Sequence, residues 1–393
     1  MARRHAKMLS LLLASSLISG CSTVTDTVDN WMGDSKPSAS APAKLQAFKA
    51  EVAPLAVWDH EIGDGSEGLI SQHQPVRAGN RLYASAVDGT VRAVALPSGD
   101  TLWSRQLEQQ LMSGVAVGKE QLYVGTDAGR LVALDRTNGS ERWSVNLLSE
   151  ILAPATEVEG KVVVVRTADG KLSALDTEEG KMLWSYEREV PVLTLRGTSS
   201  PVVSDGRVFA GLDSGEVVAV ALEDGRELWI KSVTVPRGRT EIERMVDIDA
   251  TPVVVGNALY VVGYQGNLVA LDVETGDLLW KRKLSSLRAP SVQAKYLFVS
   301  DQAGAIWAFD RHDGSALWRQ EGLKNRNPSS PLPDGRYLVV GDNQGVLHWL
   351  GIEDGRFAGR YQLDSQPISA ATLEYGEAVI SYSESGKLSL ITP

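Results

Sequence analysis

A frame of fifteen residues returns along the whole chain, and it constrains the fold more than any other feature. At 129–143, G-R-L-V-A-L-D-R-T-N-G-S-E-R-W, a first Gly is followed by Ala133, Asp135, a second Gly at 139 and Trp143. The first Gly recurs as Gly89, Gly129, Gly170, Gly215, Gly266, Gly304, Gly345 and Gly386, and the second as Gly99, Gly139, Gly180, Gly225, Gly276, Gly314 and Gly355. Trp103, Trp143, Trp184, Trp229, Trp280 and Trp318 complete the frame. A period of about 40 residues is the mark of a repeat architecture, in which each unit buries its apolar face only against its neighbours.

Within a repeat, β-rich runs such as Leu122-Tyr-Val-Gly and Leu259-Tyr-Val-Val precede the first Gly, and the Asp-Gly or Asp-x-Gly there is a hairpin signal. A second turn follows in Asp-x-x-x-Gly, where Asp bonds its own backbone and Gly accepts positive φ. Pro75, Pro154, Pro201, Pro252, Pro290 and Pro331 mark strand starts. Each repeat therefore supplies four short antiparallel strands, the unit of a β-propeller blade. After Gly386 only Lys387 to Pro393 remain, so the last repeat lacks its Trp strand. The missing strand stands at the other end, where Leu55-Ala-Val-Trp58-Asp-His resembles Thr101-Leu-Trp103-Ser-Arg. The expected fold is all-β: an eight-bladed propeller of four-stranded antiparallel blades over 55–393, closed by an N-terminal strand carrying Trp58. Closure removes the edges that an open array would expose.

Residues 1–20 have a basic start (Arg3, Arg4, Lys7) and an apolar run from Met8 to Ile18, the layout of a signal peptide too short to span a bilayer. Ile18-Ser-Gly-Cys21, with the only Cys of the chain, resembles the lipobox of bacterial lipoproteins. That resemblance implies lipidation of Cys21, and Ser22 after it implies transport to the outer membrane. Residues 21–54, rich in Ser, Thr, Ala, Asp and Pro, read as a lipidated Cys and a flexible tether. The expected location is the outer membrane, facing the periplasm and held by the lipid alone.

Charge narrows the partners. There are 39 Lys+Arg against 49 Asp+Glu, with no basic stripe, so nucleic acid is excluded and an anionic membrane surface is a poor candidate. The seven Trp, including Trp58, sit at one place in seven of the eight repeats, which favours packing between blades over a row of ligand-stacking rings. The seventh repeat departs: Gly359 stands where Trp is expected, and Trp349, at the position of the recurrent Ala, is expected to fill the space. The five His show no metal-ligand spacing, and no catalytic elbow, phosphate loop or complete calcium loop occurs. Asp88, Asp127, Asp169 and Asp213 read as turn residues repeated with the blades. No catalytic residue, metal or cofactor is expected.

The frame is clearest in Ala270-Leu-Asp272-Val-Glu-Thr-Gly276-Asp-Leu-Leu-Trp280. It resembles the repeat of the pyrroloquinoline-quinone family of eight-bladed propellers, and with a lipobox it is similar to that family's lipoproteins of the outer-membrane β-barrel assembly machinery. The resemblance implies a non-catalytic scaffold that assists folding and insertion of β-barrel proteins. The alternatives are a quinoprotein dehydrogenase, for which a Cys pair is impossible here, and another periplasmic ligand-binding propeller.

Two first-Gly intervals are long, 45 and 51 residues from Gly170 to Gly215 to Gly266 against 38–41 elsewhere. Extra length on one face of a repeat array commonly builds a binding surface. The first stretch contains Leu193-Thr-Leu195-Arg196 and the second Asp247-Ile-Asp249. In the barrel-assembly lipoproteins the corresponding L-T-L-R and D-x-D segments contact the periplasmic POTRA domains of BamA. The resemblance thus implies that Leu193, Leu195, Arg196, Asp247 and Asp249 bind that partner, with the carboxylates steadying Arg196 or meeting cations at the rim. Whether unfolded outer-membrane proteins also pair with exposed strand edges is left open by the sequence.

Overall fold

The computed structural model describes residues 41–66, 73–191, 193–195, 197–235 and 239–393. Cys21 and the leader at 1–20 lie outside the described residues, as does Arg196. Residues 42–393 form one unit containing eight four-stranded antiparallel sheets. Seven blades are built from consecutive strands, as in blade 1, Val76–Ala78, Arg81–Ser85, Thr90–Ala95 and Thr101–Gln106. The short inner strands begin directly after Pro75, Pro201, Pro252, Pro290 and Pro331. Blade 8 takes three strands from the C-terminus and its outer strand, Leu55–Glu61, from near the N-terminus. That strand pairs along Lys387–Thr392, with Trp58 opposite Leu390. The closed ring expected from the repeats is the observed fold.

The joint between blades explains why Trp and the second Gly recur together. The indole N–H of Trp143 in blade 2 donates to the carbonyl of Thr177 in blade 3 at 2.9 Å. Its ring lies on the turn of blade 3, where Gly180 has φ 72° and a Cβ would stand 2.6 Å from the indole. The turn requires positive φ, and the ring leaves no room for a side chain. The same joint repeats from Trp58 onto blade 1 through Trp318 onto blade 7, with N–H to carbonyl distances of 2.7–3.3 Å. Each ring buries on the order of 150–250 Å². These Trp are inter-blade packing.

Across each blade the Trp belongs to a row of three. Tyr83 opposes Ala93, which opposes Trp103, and the two rings meet over the Ala with centroids 6.2 Å apart. Blade 7 permutes the row to Val339, Trp349 and Gly359, so bulk moves one strand inward while the row's total volume is roughly kept. Trp349 is fully buried, as expected.

The reason lies at blade 8. A Trp at 359 would dock on that blade's outer turn, but that blade takes its outer strand from the N-terminal side of the chain, so no turn connects Lys387–Thr392 to Leu55–Glu61. The segment before the closing strand fills the place instead. Val52 sits buried beside Trp349, its Cβ 3.1 Å from where a Cβ on Gly359 would be. Glu51 and Val52 both donate their N–H to the carbonyl of Ala358, at 2.7 and 3.0 Å. Farther up, Arg326 and Arg360 donate to the carbonyls of Ala43 and Gln46 at 3.1 and 2.7 Å, and the Arg360 guanidinium lies 4.7 Å from the centre of the Phe48 ring. The expectation that the tether runs to residue 54 is corrected here. Residues 42–54 are a strap on blade 7, because an apolar residue at 52 and carbonyls facing two arginines give the chain somewhere to bind.

Deleting 24–40 is therefore expected to leave the denaturation midpoint unchanged. Deleting 42–54 should cost about 3 kcal/mol, from one buried Val and the strap's hydrogen bonds. Urea titration of the two deletions checks this, and equal midpoints would remove the strap from the fold's stability.

Candidate interaction site

Connections between an outer strand and the next inner strand all emerge on one face of the ring, together with the turns at the first Gly of each repeat. The two long sequence intervals fall here, at 188–201 between blades 3 and 4 and at 233–252 between blades 4 and 5. The second carries one helical turn, Glu241–Arg244. Thr240 and Glu243 close it reciprocally: Thr240 Oγ1 accepts the Glu243 N–H at 3.2 Å, and Glu243 Oε2 accepts those of Arg239 and Thr240 at 2.7 and 3.2 Å. This Thr-x-x-Glu capping box is a local sequence signal that the repeat pattern overshadows.

The two connections are tied to each other. The N–H of Leu195 donates to Asp247 Oδ2 at 3.2 Å, and that of Ser200 to Thr251 Oγ1 at 3.3 Å. Gly197 lies so close to Asp249 that a Cβ on it would stand 2.2 Å from the carboxyl carbon. Leu193 projects into solvent with 44% of its surface exposed, while Leu195 is half-buried. Leu195 turns toward the mouth of the central channel, a cavity of about 410 Å³ whose wall also includes Asp249 and Arg288. Alternation along an extended loop would turn both leucines the same way; here one is exposed and the other inward, with the Leu195 N–H held by Asp247.

Asp247 has no solvent exposure. Of the two roles expected for the carboxylates, steadying the loop or meeting partner cations at the rim, the second does not suit the buried Asp247, which lies beneath the loop. Asp247, Asp249 and Asp213 bring carboxylate oxygens within 4.8 Å of one another. Asp213, expected as an ordinary turn residue, instead forms a buried ion pair with Arg166 of blade 3 at 2.8 Å. Spacing cannot reveal this cluster, since Arg166 and Asp213 lie on different blades and the Asp pair on a connection. Three carboxylates form a cation ligand set, and among the described residues the cation paired within it is the Arg166 guanidinium, bonded to Asp213.

Burial pushes the Asp247 carboxyl up to about 8, aided by the charges of Asp249 and Asp213. Burial likewise raises Asp249, to about 6, against the pull of Arg166. A carboxyl whose pKa is higher folded than unfolded binds its proton more tightly in the fold. Its contribution is present in full below the ordinary carboxyl range and is lost as pH rises to about 8. Stability against unfolding is expected to fall between about pH 4 and pH 8 by up to about 1.4 kcal/mol per pH unit for each raised carboxyl, and Asp247→Asn should flatten that slope. Melting curves across this range test it, and an unchanged slope in the variant would refute the assignment.

A family model described as outer membrane protein assembly factor BamB matches residues 87–320. The assembly factor BamB of Pseudomonas aeruginosa is 39% identical over 385 residues, covering 98% of this chain and 97% of its own. The chain belongs to the BamB family. The crystal structure of BamB from Moraxella catarrhalis superposes with a TM-score of 0.80 at 28% identity, covering 87% of this chain and all of that one. A europium-containing methanol dehydrogenase shares the fold alone, with a TM-score of 0.71 at 14% identity over 86% of this chain and 93% of that one. The channel mouth does not fit the quinone cofactor that the wider propeller family implies. Among the described residues no Trp lines it to form a stacking floor, and the single Cys excludes a vicinal pair.

Proposed function

We propose that the chain is a non-catalytic assembly factor that holds the POTRA region of BamA through Leu193, Leu195 and Arg196, in the periplasm, tethered to the outer membrane by a lipid on Cys21. Family membership supports the assembly role, and the lipobox supports the anchor. The observation that carries the docking site is the exposed Leu193 on a connection braced from below by Asp247. An apolar side chain held in solvent by a buried support costs the free protein and gains only when covered, and an adjacent Arg adds a forked donor. In this reading Asp247 and Asp249 contribute by setting the loop, and Leu195 by joining it to the channel mouth.

Leu193→Ala combined with Arg196→Ala is expected to weaken capture of the purified POTRA region by roughly 2–4 kcal/mol. The urea midpoint should stay where it was, because Leu193 is outside the inter-blade core. Calorimetry on the folded variant decides the matter: undiminished binding places the partner elsewhere on the ring.

A further inference from the structure

The connection before the docking loop holds a second leucine in an unusual state. Leu148, between blades 2 and 3, is 86% exposed, the most exposed large apolar residue among those described. Its backbone has φ 68°, in the left-handed region, which a leucine rarely adopts. Local bonds impose that conformation: the Leu148 N–H donates to Asn146 Oδ1 at 2.8 Å, and the Leu147 N–H to the carbonyl of Gly129 at 2.8 Å. A chain selected only for stability would carry Gly or Asn here, since either removes both the strain and the exposed apolar surface.

Leu148 is also linked to the docking loop through one turn of blade 3. Ser149 Oγ accepts the N–H of Asp169 at 3.1 Å on one side of that turn. On the other side Val190 lies 2.6 Å from where a Cβ on Gly170 would be. The next connection continues the series with Val235, 58% exposed. Leu148, Leu193 and Val235 thus stand on three successive connections of one face. A stable complex buries about 800 Å² on each partner, more than the Leu193 loop alone can supply.

We infer that the docking surface extends across these three connections, with Leu148 and Val235 as apolar contacts flanking Leu193 for the same polypeptide partner. This rests on the docking face proposed above and widens it. The partner must offer a continuous apolar strip long enough to cross blades 2 to 5, not a single pocket for one loop.

The deciding variant is Leu148→Asn, which suits the left-handed backbone and deletes the apolar side chain. It is expected to melt at the same temperature as the parent or higher, yet to bind the POTRA region about tenfold more weakly. Leu193→Ala is measured beside it. Weaker binding by Leu193→Ala with parental binding by Leu148→Asn would overturn the extension and leave the loop as the site. Parental binding by both would overturn the docking face itself. A lowered melting temperature in Leu148→Asn would overturn the strain assignment, because it would show the leucine to be a stabilising contact of the fold.

Discussion

Everything in this ring depends on one joint, the indole of one blade laid on the glycine turn of the next. It couples two residue types that sequence alone shows only as co-recurring, and it does so by two independent constraints. The turn needs a left-handed residue, and the ring needs the absence of a Cβ; Gly180 beneath Trp143 meets both. The indole hydrogen bond to Thr177 then fixes the angle between the blades, so a nonspecific apolar contact becomes a directed one. Repeated from Trp58 onward, it closes blade 8 onto blade 1 by the same means that joins the others.

The joint also dictates its own exception. Where blade 8 is closed by strands from the two ends of the propeller, no turn exists to receive a ring, and blade 7 accordingly holds its Trp one strand farther in. Gly359 opens a slot that Val52 enters, and the strap that brings Val52 there is fixed by Arg326 and Arg360. Those arginines belong to a buried group in which Asp342 accepts from Arg326 at 2.6 Å and pairs with His348 at 2.7 Å. Charge is tolerable there because each member has a partner. Burial holds the His348 imidazole below its ordinary pKa despite the carboxylate beside it.

How far the sequence could be read follows from the range of the interactions involved. Blade number, strand count and closure by Trp58 were legible because the repeats sample the same local rules many times, and the turn signals are short-range. The position of Trp349 was legible as a departure from the frame, though its cause was not, since that cause is a segment some 300 residues away in sequence. Residues 42–54 read as tether because their composition carries no period; their order comes from carbonyls meeting arginines of blade 7, which no local pattern announces. The acid cluster was hidden for the same reason. Asp213 occupies a turn position like Asp169, and only the fold shows that Arg166 of the neighbouring blade claims it.

A ring of such joints gives the loops a property that isolated loops lack. Arg166, Asp213 and Asp247 come from blade 3, blade 4 and the connection to blade 5, so their relative positions are set by the inter-blade angles and not by the loop's own conformation. Leu195 is hydrogen-bonded to one of them, and Leu193 stands two residues away. The exposed leucine is therefore tied to the blade core through a buried charge cluster. The cluster's cost in stability is the counterpart of that tie. Among the described residues three carboxylates gather beside one guanidinium, an arrangement a purely structural core would replace with apolar side chains, and it is sited directly beneath the connection that carries the exposed Leu193.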